Sequence, residues 1–421
     1  MFPSPMFSSR TNWKLAQNRF TQTLAEVRAS GATILDLTHS NPTRIGLHYD
    51  EQAILGALAS PRSLDYDPQS KGLREAREAV AGYYRESRDR GGRDVASNVS
   101  TAGIDVDPEQ VILTTSTSEG YSYVFRLLCN AGDELLVPKP SYPLFEFLAD
   151  LQDVKLVPYP LIYDYGWQMD FHSLEKAVTE RTRGVVVVHP NNPTGSFVQP
   201  HEWELLNSFC RAHGLALIVD EVFLDYQLGN RTHASFAANQ DVLTFTLSGL
   251  SKISALPQMK VAWVVTSGPK AKADEAIVRL DVIADTYLSM NAPIQRAVPM
   301  LLQQKKNIQR QLLERVKENL AELDRRLAKQ KVCERLSVDG GWYAVLRVPV
   351  IRSDEELAIT LLREKSVLVH PGHFYDFPSD GYLVLSLITP EAEFGEGVGR
   401  VLEKLNEGAV CLKRAARKLK V

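Results

Sequence analysis

Cysteine is scarce in this chain of 421 residues: Cys129, Cys210, Cys333 and Cys411 lie far apart, with no C-x-x-C pair. That excludes a small disulfide-stapled scaffold and reads as reduced, mostly buried thiols in a cytosolic protein. Long apolar runs are missing, and none approaches the ~18 residues a membrane span needs. The opening MFPSPMFSSR has no basic start followed by an apolar core, so no signal peptide is expected. Neither sign of charge dominates. Lys and Arg number 48 against 51 Asp and Glu, a formal net charge of -3, which gives no global pull toward nucleic acid or a membrane surface. There is no internal repeat and no low-complexity tract. Also absent are a G-x-G-x-x-G dinucleotide fingerprint, a G-x-S-x-G elbow and a Walker A loop.

What is present is ordinary in composition and informative in order. Apolar residues make 44% and charged residues 24%, enough to bury the core of a soluble globular protein with more than one domain. Short, continuously apolar runs at Val111–Leu113, Leu135–Val137, Val185–Val188, Leu215–Val219, Leu243–Leu247 and Val261–Val265 alternate with stretches of helical length such as Gln199–His213. That predicts an α/β fold whose mostly parallel sheet is covered by helices on both faces. After about residue 300 the texture changes. Ile308, Leu312, Val316, Leu320, Leu323 and Leu327 recur at helical spacing, and GGWYAVLRV, SVLVHPG and GYLVLSLI read as strands before a closing helix. The expected organisation is a large domain over 56–300 and a smaller α+β domain over 301–421, joined by the segment 1–55. Gly395, Gly397 and Gly399 read as a loop before the last helix, and the basic tail KRAARKLK reads as a solvated helix end.

Five consecutive strand ends carry polar or aromatic residues, and strand ends are where open α/β sheets bind ligands. TTSTSEGY follows the first run, PKPSYP with Tyr142 the second, HPNNPTG the third, Asp220 the fourth and SGLSK with Lys252 the fifth. A lysine beside small residues at a ligand edge can form a Schiff base with an aldehyde. An aspartate can pair with a pyridinium nitrogen, an asparagine can bond a phenolate, and an aromatic ring can stack on a pyridine. Hydroxyls at a helix start can hold phosphate. Together they describe pyridoxal 5'-phosphate.

HPNNPTG (His189–Gly195), DEVF (Asp220–Phe223) and SGLSKISALPQMK (Ser248–Lys260) resemble the class I/II aminotransferase family of fold-type I pyridoxal-phosphate enzymes, from DLTHSNPT to GYLVLSLITP. The resemblance implies a large domain with a seven-stranded-type sheet, a smaller domain, and amino transfer between an amino acid and a 2-oxo acid. It implies Lys252 as the Schiff-base lysine, which moves a proton once freed. It implies Asp220 as the partner of the ring nitrogen, Asn192 as the partner of the phenolate, and Tyr142 as the stacking ring. Thr117, Ser118, Ser251 and Lys260 fall at cofactor-binding positions. Tyr66 resembles the tyrosine that reaches the phosphate of a neighbouring subunit, which implies a homodimer.

Three positions depart from the family pattern. Lys260 stands where an arginine is usual, so it offers charge without a bidentate fork. Phe223 stands where relatives carry a tyrosine that donates to the phenolate, a loss expected to raise the pKa of the Schiff base. Val384 stands where an arginine usually clamps the substrate carboxylate. Ser40, Asn41 and Arg44 in the N-terminal loop are the candidates to replace it, and Arg44 also fits a solvated loop cation. The missing arginine keeps open a lyase or decarboxylase of the same fold that acts on an unusual amine or amino acid. A regulator fused to a DNA-binding head is disfavoured, because no basic helix-turn-helix segment precedes the fold. Some residues have plainer explanations. Tyr142 between Pro140 and Pro143 fits core packing, and Thr117 or Ser118 can simply cap a helix. His189 reads as a packed strand-end histidine. His370 and His373 lack two further ligands, so no metal is expected.

Overall fold

The computed structural model describes residues 6–13, 16–86, 104–143, 145–229, 232–288 and 290–418, with side chains described as far as Gly408. The basic tail KRAARKLK and the Cys411 thiol therefore lie outside the described side chains. Strands, in chain order, are β1 (Leu35–Asp36), β2 (Val111–Thr114), β3 (Glu134–Lys139), β4 (Lys155–Tyr163), β5 (Trp167–Met169), β6 (Thr182–Val188), β7 (Ala216–Asp220), β8 (Thr244–Gly249) and β9 (Ala262–Ser267). After the long helix Lys305–Leu327 come β10 (Glu334–Arg335), β11 (Tyr343–Arg347), β12 (Val367–Leu368), β13 (His370–Pro371) and β14 (Tyr382–Ser386).

The large sheet has the order β2-β9-β8-β7-β6-β3-β4-β5. Strands β8, β7, β6, β3 and β4 run parallel, while β9 runs against both β2 and β8. The carboxyl ends of β2, β8, β7, β6 and β3 therefore meet on one edge. Side chains alternate between two helical layers. Val186, Ile218 and Leu247 pack toward helices Thr117–Leu128 and Lys270–Thr286, whereas Val185, Val187, Leu217 and Val219 pack toward Pro200–His213. Burial on both faces is why these strands read as unbroken apolar runs. The seven strands of the expected sheet are extended at the edge by β5, which turns back antiparallel on β4.

The smaller unit is an antiparallel sheet in the order β10-β11-β14-β13. Its core includes Ile308, Leu312, Val316 and Leu323, four of the periodic positions on the long helix. The N-terminal segment joins this unit: β1 pairs in parallel with β12, and Phe20, Leu37 and Ile45 enter its core.

One expectation is overturned. Gly395, Gly397 and Gly399 are not in a loop; they lie inside the closing helix Glu391–Lys418. Their use is close packing. A Cβ on Gly397 would stand 2.8 Å from a methyl of Leu37, and one on Gly399 would stand 2.7 Å from the Arg326 guanidinium. Small residues let this helix approach β1 and the long helix, and packing outweighs the roughly 1 kcal/mol that each helical glycine costs relative to alanine. Cys129, Cys210 and Cys333 are free thiols, with Cys210 buried and the other two half-buried.

Candidate active site

The site assembles where the parallel strands end. Strand β7 delivers Asp220 to the sheet edge. Its Oδ2 accepts a hydrogen bond from the Tyr121 hydroxyl at 3.0 Å, and its Oδ1 accepts one from the Val222 N–H at 3.1 Å. Enclosure of the carboxyl raises its pKa to about 6. The two donors and the positive charge of Lys252 pull against that rise.

Lys252 lies in the single helical turn Leu250–Ile253 that follows β8. Gly249 makes that turn possible, because a Cβ there would stand 2.8 Å from the Val261 carbonyl and 2.9 Å from Ala262 Cα. The Lys252 carbonyl accepts the Tyr226 hydroxyl at 2.6 Å. Its ammonium lies 5.5 Å from the centre of the Phe223 ring and 5.0 Å from that of Trp342. Burial against these rings lowers its pKa to about 8, with Asp220 opposing the fall. Nζ makes no hydrogen bond among the described residues.

Asn192 follows β6 and is 8% exposed, yet its Oδ1 is sealed from solvent with no hydrogen-bond partner. The turn that presents it is built by its neighbours. The Gly195 N–H donates to the Asn191 carbonyl at 2.8 Å, and the Thr194 hydroxyl reaches Asn191 Oδ1 at 3.0 Å. Gly195 has φ +69°, and a Cβ there would fall 2.4 Å from Val338 and 2.5 Å from the Gly340 carbonyl. Only glycine satisfies both demands.

At the start of helix Thr117–Leu128 the cap is Ser116, whose Oγ accepts the Glu119 N–H at 3.2 Å. Thr117 and Ser118 are therefore not spent on capping, and their half-buried hydroxyls make no hydrogen bond among the described residues. Ser248 Oγ, at the end of β8, is likewise sealed without a partner. Ser251 is half-buried. Lys260 is exposed at the end of the turn Pro257–Met259, and its ammonium makes no ion pair among the described residues. Tyr142 is 47% exposed in the loop after β3, so core packing does not explain it. Phe223 is buried, with its ring 5.1 Å from Trp342 and 6.3 Å from Tyr343.

Other sequence candidates stand apart. Tyr66 is 82% exposed and makes no hydrogen bond among the described residues. Ser40, Asn41 and Arg44 lie on an exposed loop. Asn41 Oδ1 is occupied by the Thr43 N–H and hydroxyl, at 3.0 and 2.7 Å. Among the described residues the Arg44 guanidinium has no partner, and no hydrogen bond or ion pair ties it to the Lys252 cluster. Val384 is buried in the core of the smaller unit. His189 is packed: its Nδ1 accepts the Val198 N–H at 3.1 Å, its Nε2 faces the Ala234 carbonyl at 3.2 Å, and burial lowers its pKa to about 3. Among the described residues no group of three or more His, Cys, Asp or Glu side chains could hold a metal ion.

Sequence reasoning passed over Tyr121, Tyr226 and Trp342. Each lies within a motif already singled out or in the strand-end segment just after one. What was missing was the distance in space: Tyr121 is 99 residues from the aspartate it holds.

The donor set suits a flat, phosphate-bearing pyridine aldehyde. An enclosed amine, a carboxylate, a sealed amide with an unused oxygen and a cluster of unspent hydroxyls line one sheet edge. A family model for aminotransferase class I and II matches residues 47–393. The glutamate-pyruvate aminotransferase AlaA of Haemophilus influenzae is 27% identical over 365 residues, covering 85% of this chain and 87% of that protein. The alanine aminotransferase of Mycobacterium tuberculosis is 28% identical over 393 residues, covering 90% and 87%. Among solved structures, an aminotransferase from Escherichia coli superimposes with a TM-score of 0.82 at 25% identity, covering 96% of this chain and 99% of that one. The alanine aminotransferase from Pyrococcus furiosus gives 0.83 at 23% identity, covering 95% and 100%.

Proposed function

Because the chain belongs to the class I and II aminotransferases, we propose that it moves the amino group of an amino acid to a 2-oxo acid with pyridoxal 5'-phosphate bound at Lys252. The relatives named for alanine, glutamate and pyruvate make those compounds the first to test. One observation carries the reading: an enclosed Lys252 amine interacts with the Asp220 carboxylate at the sheet edge where Asn192 presents an amide oxygen that no group among the described residues uses.

When bound, the cofactor supplies an electrophilic carbonyl and an electron-accepting ring. The chain's own residues do the rest. Lys252 is the amine that would hold the cofactor's carbonyl carbon, and it would carry one proton to and from the substrate. Its pKa of about 8 places the amine near the operating pH, where it can both take and return that proton. Asp220 would pair with the ring nitrogen and favour its protonated form, while Tyr121 and the Val222 N–H keep the carboxylate aimed. Asn192 meets the phenolate oxygen. Thr117, Ser118, Ser251 and Lys260 hold the phosphate by backbone N–H, hydroxyl and charge. Tyr142 covers the ring. Phe223 and Trp342 keep water from the Lys252 amine.

In this reading 56–300 bears the cofactor, 301–421 with 1–55 covers it, and the enzyme works in the cytoplasm as a homodimer in which Tyr66 reaches the partner's phosphate. Ser40, Asn41 and Arg44 stay as loop candidates for the substrate, with Arg44 the one free cation among those three. The test is a panel of amino donors read by loss of the holoenzyme's visible band. Transamination needs donor and 2-oxo acid together for turnover. Release of ammonia and pyruvate from a donor alone would identify a lyase instead.

A further inference from the structure

The smaller sheet turns one face toward Lys252. The register sets Tyr343 opposite Ser386, and sets both Val345 and His370 opposite Val384, so these five side chains share that face. The Tyr343 ring is 6.3 Å from the Phe223 ring, which in turn lies 5.5 Å from Lys252 Nζ. An amino acid brings a carboxylate into this neighbourhood, and a carboxylate removed from water must be given donors. Among the described residues no free cation stands on the wall. Val384 is buried hydrocarbon, and Lys139, at the end of β3, is paired with Asp376 at 3.1 Å.

The wall offers phenol instead. Tyr343 and Tyr375 are 7% and 4% exposed. The Tyr343 hydroxyl makes no hydrogen bond among the described residues. The Tyr375 hydroxyl meets His370 Nδ1 at 3.0 Å. The Ser141 N–H donates to the Tyr375 carbonyl at 2.9 Å, which ties this phenol to the loop that carries Tyr142. Burial, and then the neighbouring tyrosines, push both phenols far above their ordinary range, so both keep their protons.

We propose that Tyr343 and Tyr375 seat the substrate's carboxylate through neutral hydrogen bonds, with His370 as the positioning residue behind Tyr375. With its proton on Nδ1, His370 donates to the Tyr375 oxygen and leaves the phenol's own proton for the carboxylate. Neutral donors are weaker than a guanidinium clamp, so two are needed where one arginine would serve.

The proposal rests on the amino-transfer reading, so the visible band of each holoenzyme is recorded first. Tyr343→Phe, Tyr375→Phe, His370→Gln and Arg44→Ala are then compared with wild type. The substrates are the best amino acid of the panel and the amine that remains when its carboxylate is removed. The quantity read is the ratio of kcat/KM for the amino acid to that for the amine. It should fall about tenfold in each tyrosine variant, the loss of one hydrogen bond to a charged group, and about threefold in His370→Gln, mostly through KM for the amino acid. An unchanged ratio in both tyrosine variants overturns the proposal, as does a loss confined to Arg44→Ala. Wild-type protein that forms no visible band overturns the underlying reading, and this proposal with it.

Discussion

At the scale of the residue, Lys252 shows how position makes chemistry. A solvated lysine is almost wholly charged at neutral pH and so a poor nucleophile. Here burial against Phe223 and Trp342 outweighs the pull of Asp220 and lowers the pKa to about 8. Only the neutral amine attacks an aldehyde. Capture of pyridoxal phosphate by the cofactor-free protein should therefore quicken about tenfold per pH unit below pH 8 and level off above it. Asp220, with a pKa of about 6, stays ionised through that window. Stopped-flow absorbance checks this, and a rate still climbing at pH 10 would mean an amine open to water. The positions of Lys252, Asp220 and Asn192 were legible in the sequence because each lies at, or within a few residues of, the end of an apolar strand. Tyr121 was not, because its contact with Asp220 exists only after the helix that follows β2 packs across the sheet toward the end of β7.

At the scale of the element, strand β7 ends in two carboxylates that its pleat sends to opposite sides. Asp220 goes to the site, and Glu221 goes into the protein. There Glu221 accepts the Ser235 hydroxyl at 2.5 Å and the Phe236 N–H at 2.6 Å. Burial raises its pKa to about 8 despite those donors. An acid raised in the folded state contributes its full stability below the unfolded pKa and loses it as pH climbs to the folded one. Between pH 6.5 and 8 the unfolded chain has released this proton while the folded chain still holds it. His189 has finished titrating by then, Asp220 nearly so, and Lys252, whose lowered pKa also lies near 8, gives back only a small part of the loss. Wild type should lose about 1.5 kcal/mol across that interval. Glu221→Gln should lose markedly less, as calorimetric Tm values at the two pH limits would show; parallel losses would place Glu221 in contact with water. Elements also mark where sequence pattern misleads. The glycines of the closing helix looked like loop because their packing against Leu37 and Arg326 is not written locally. Strand β4 was hidden by Pro158 and Pro160, residues at home only near a sheet's edge, where β4 and β5 lie.

At the scale of the whole molecule, the homodimer proposed above would need an apolar surface. Leu64 and Tyr66 stand open to solvent, and the Ser70 hydroxyl meets the Asp281 carboxylate, which puts their loop beside exposed Val278 and Val282 on helix Lys270–Thr286. Apolar side chains gathered in this way favour an interface. If Tyr66 serves the partner's phosphate, Lys252→Ala and Tyr66→Ala chains should each be weak alone yet complement when co-expressed. In the hybrid, one site regains an intact Lys252 from one chain and an intact Tyr66 from the other. Activity well above the sum of the two homodimers is the expected result, and simple additivity would confine Tyr66 to its own chain. The sequence by itself determined the layered α/β architecture and the order of reactive residues, because a strand buried on both faces is apolar throughout and its polar successor must lie at the sheet edge. The tertiary structure alone decided which groups meet. It set a tyrosine against Asp220, two rings around the Lys252 amine, and His370 with two phenols beside Val384. The longest of those contacts joins residues 99 apart in the chain, and local pattern carries no record of distance.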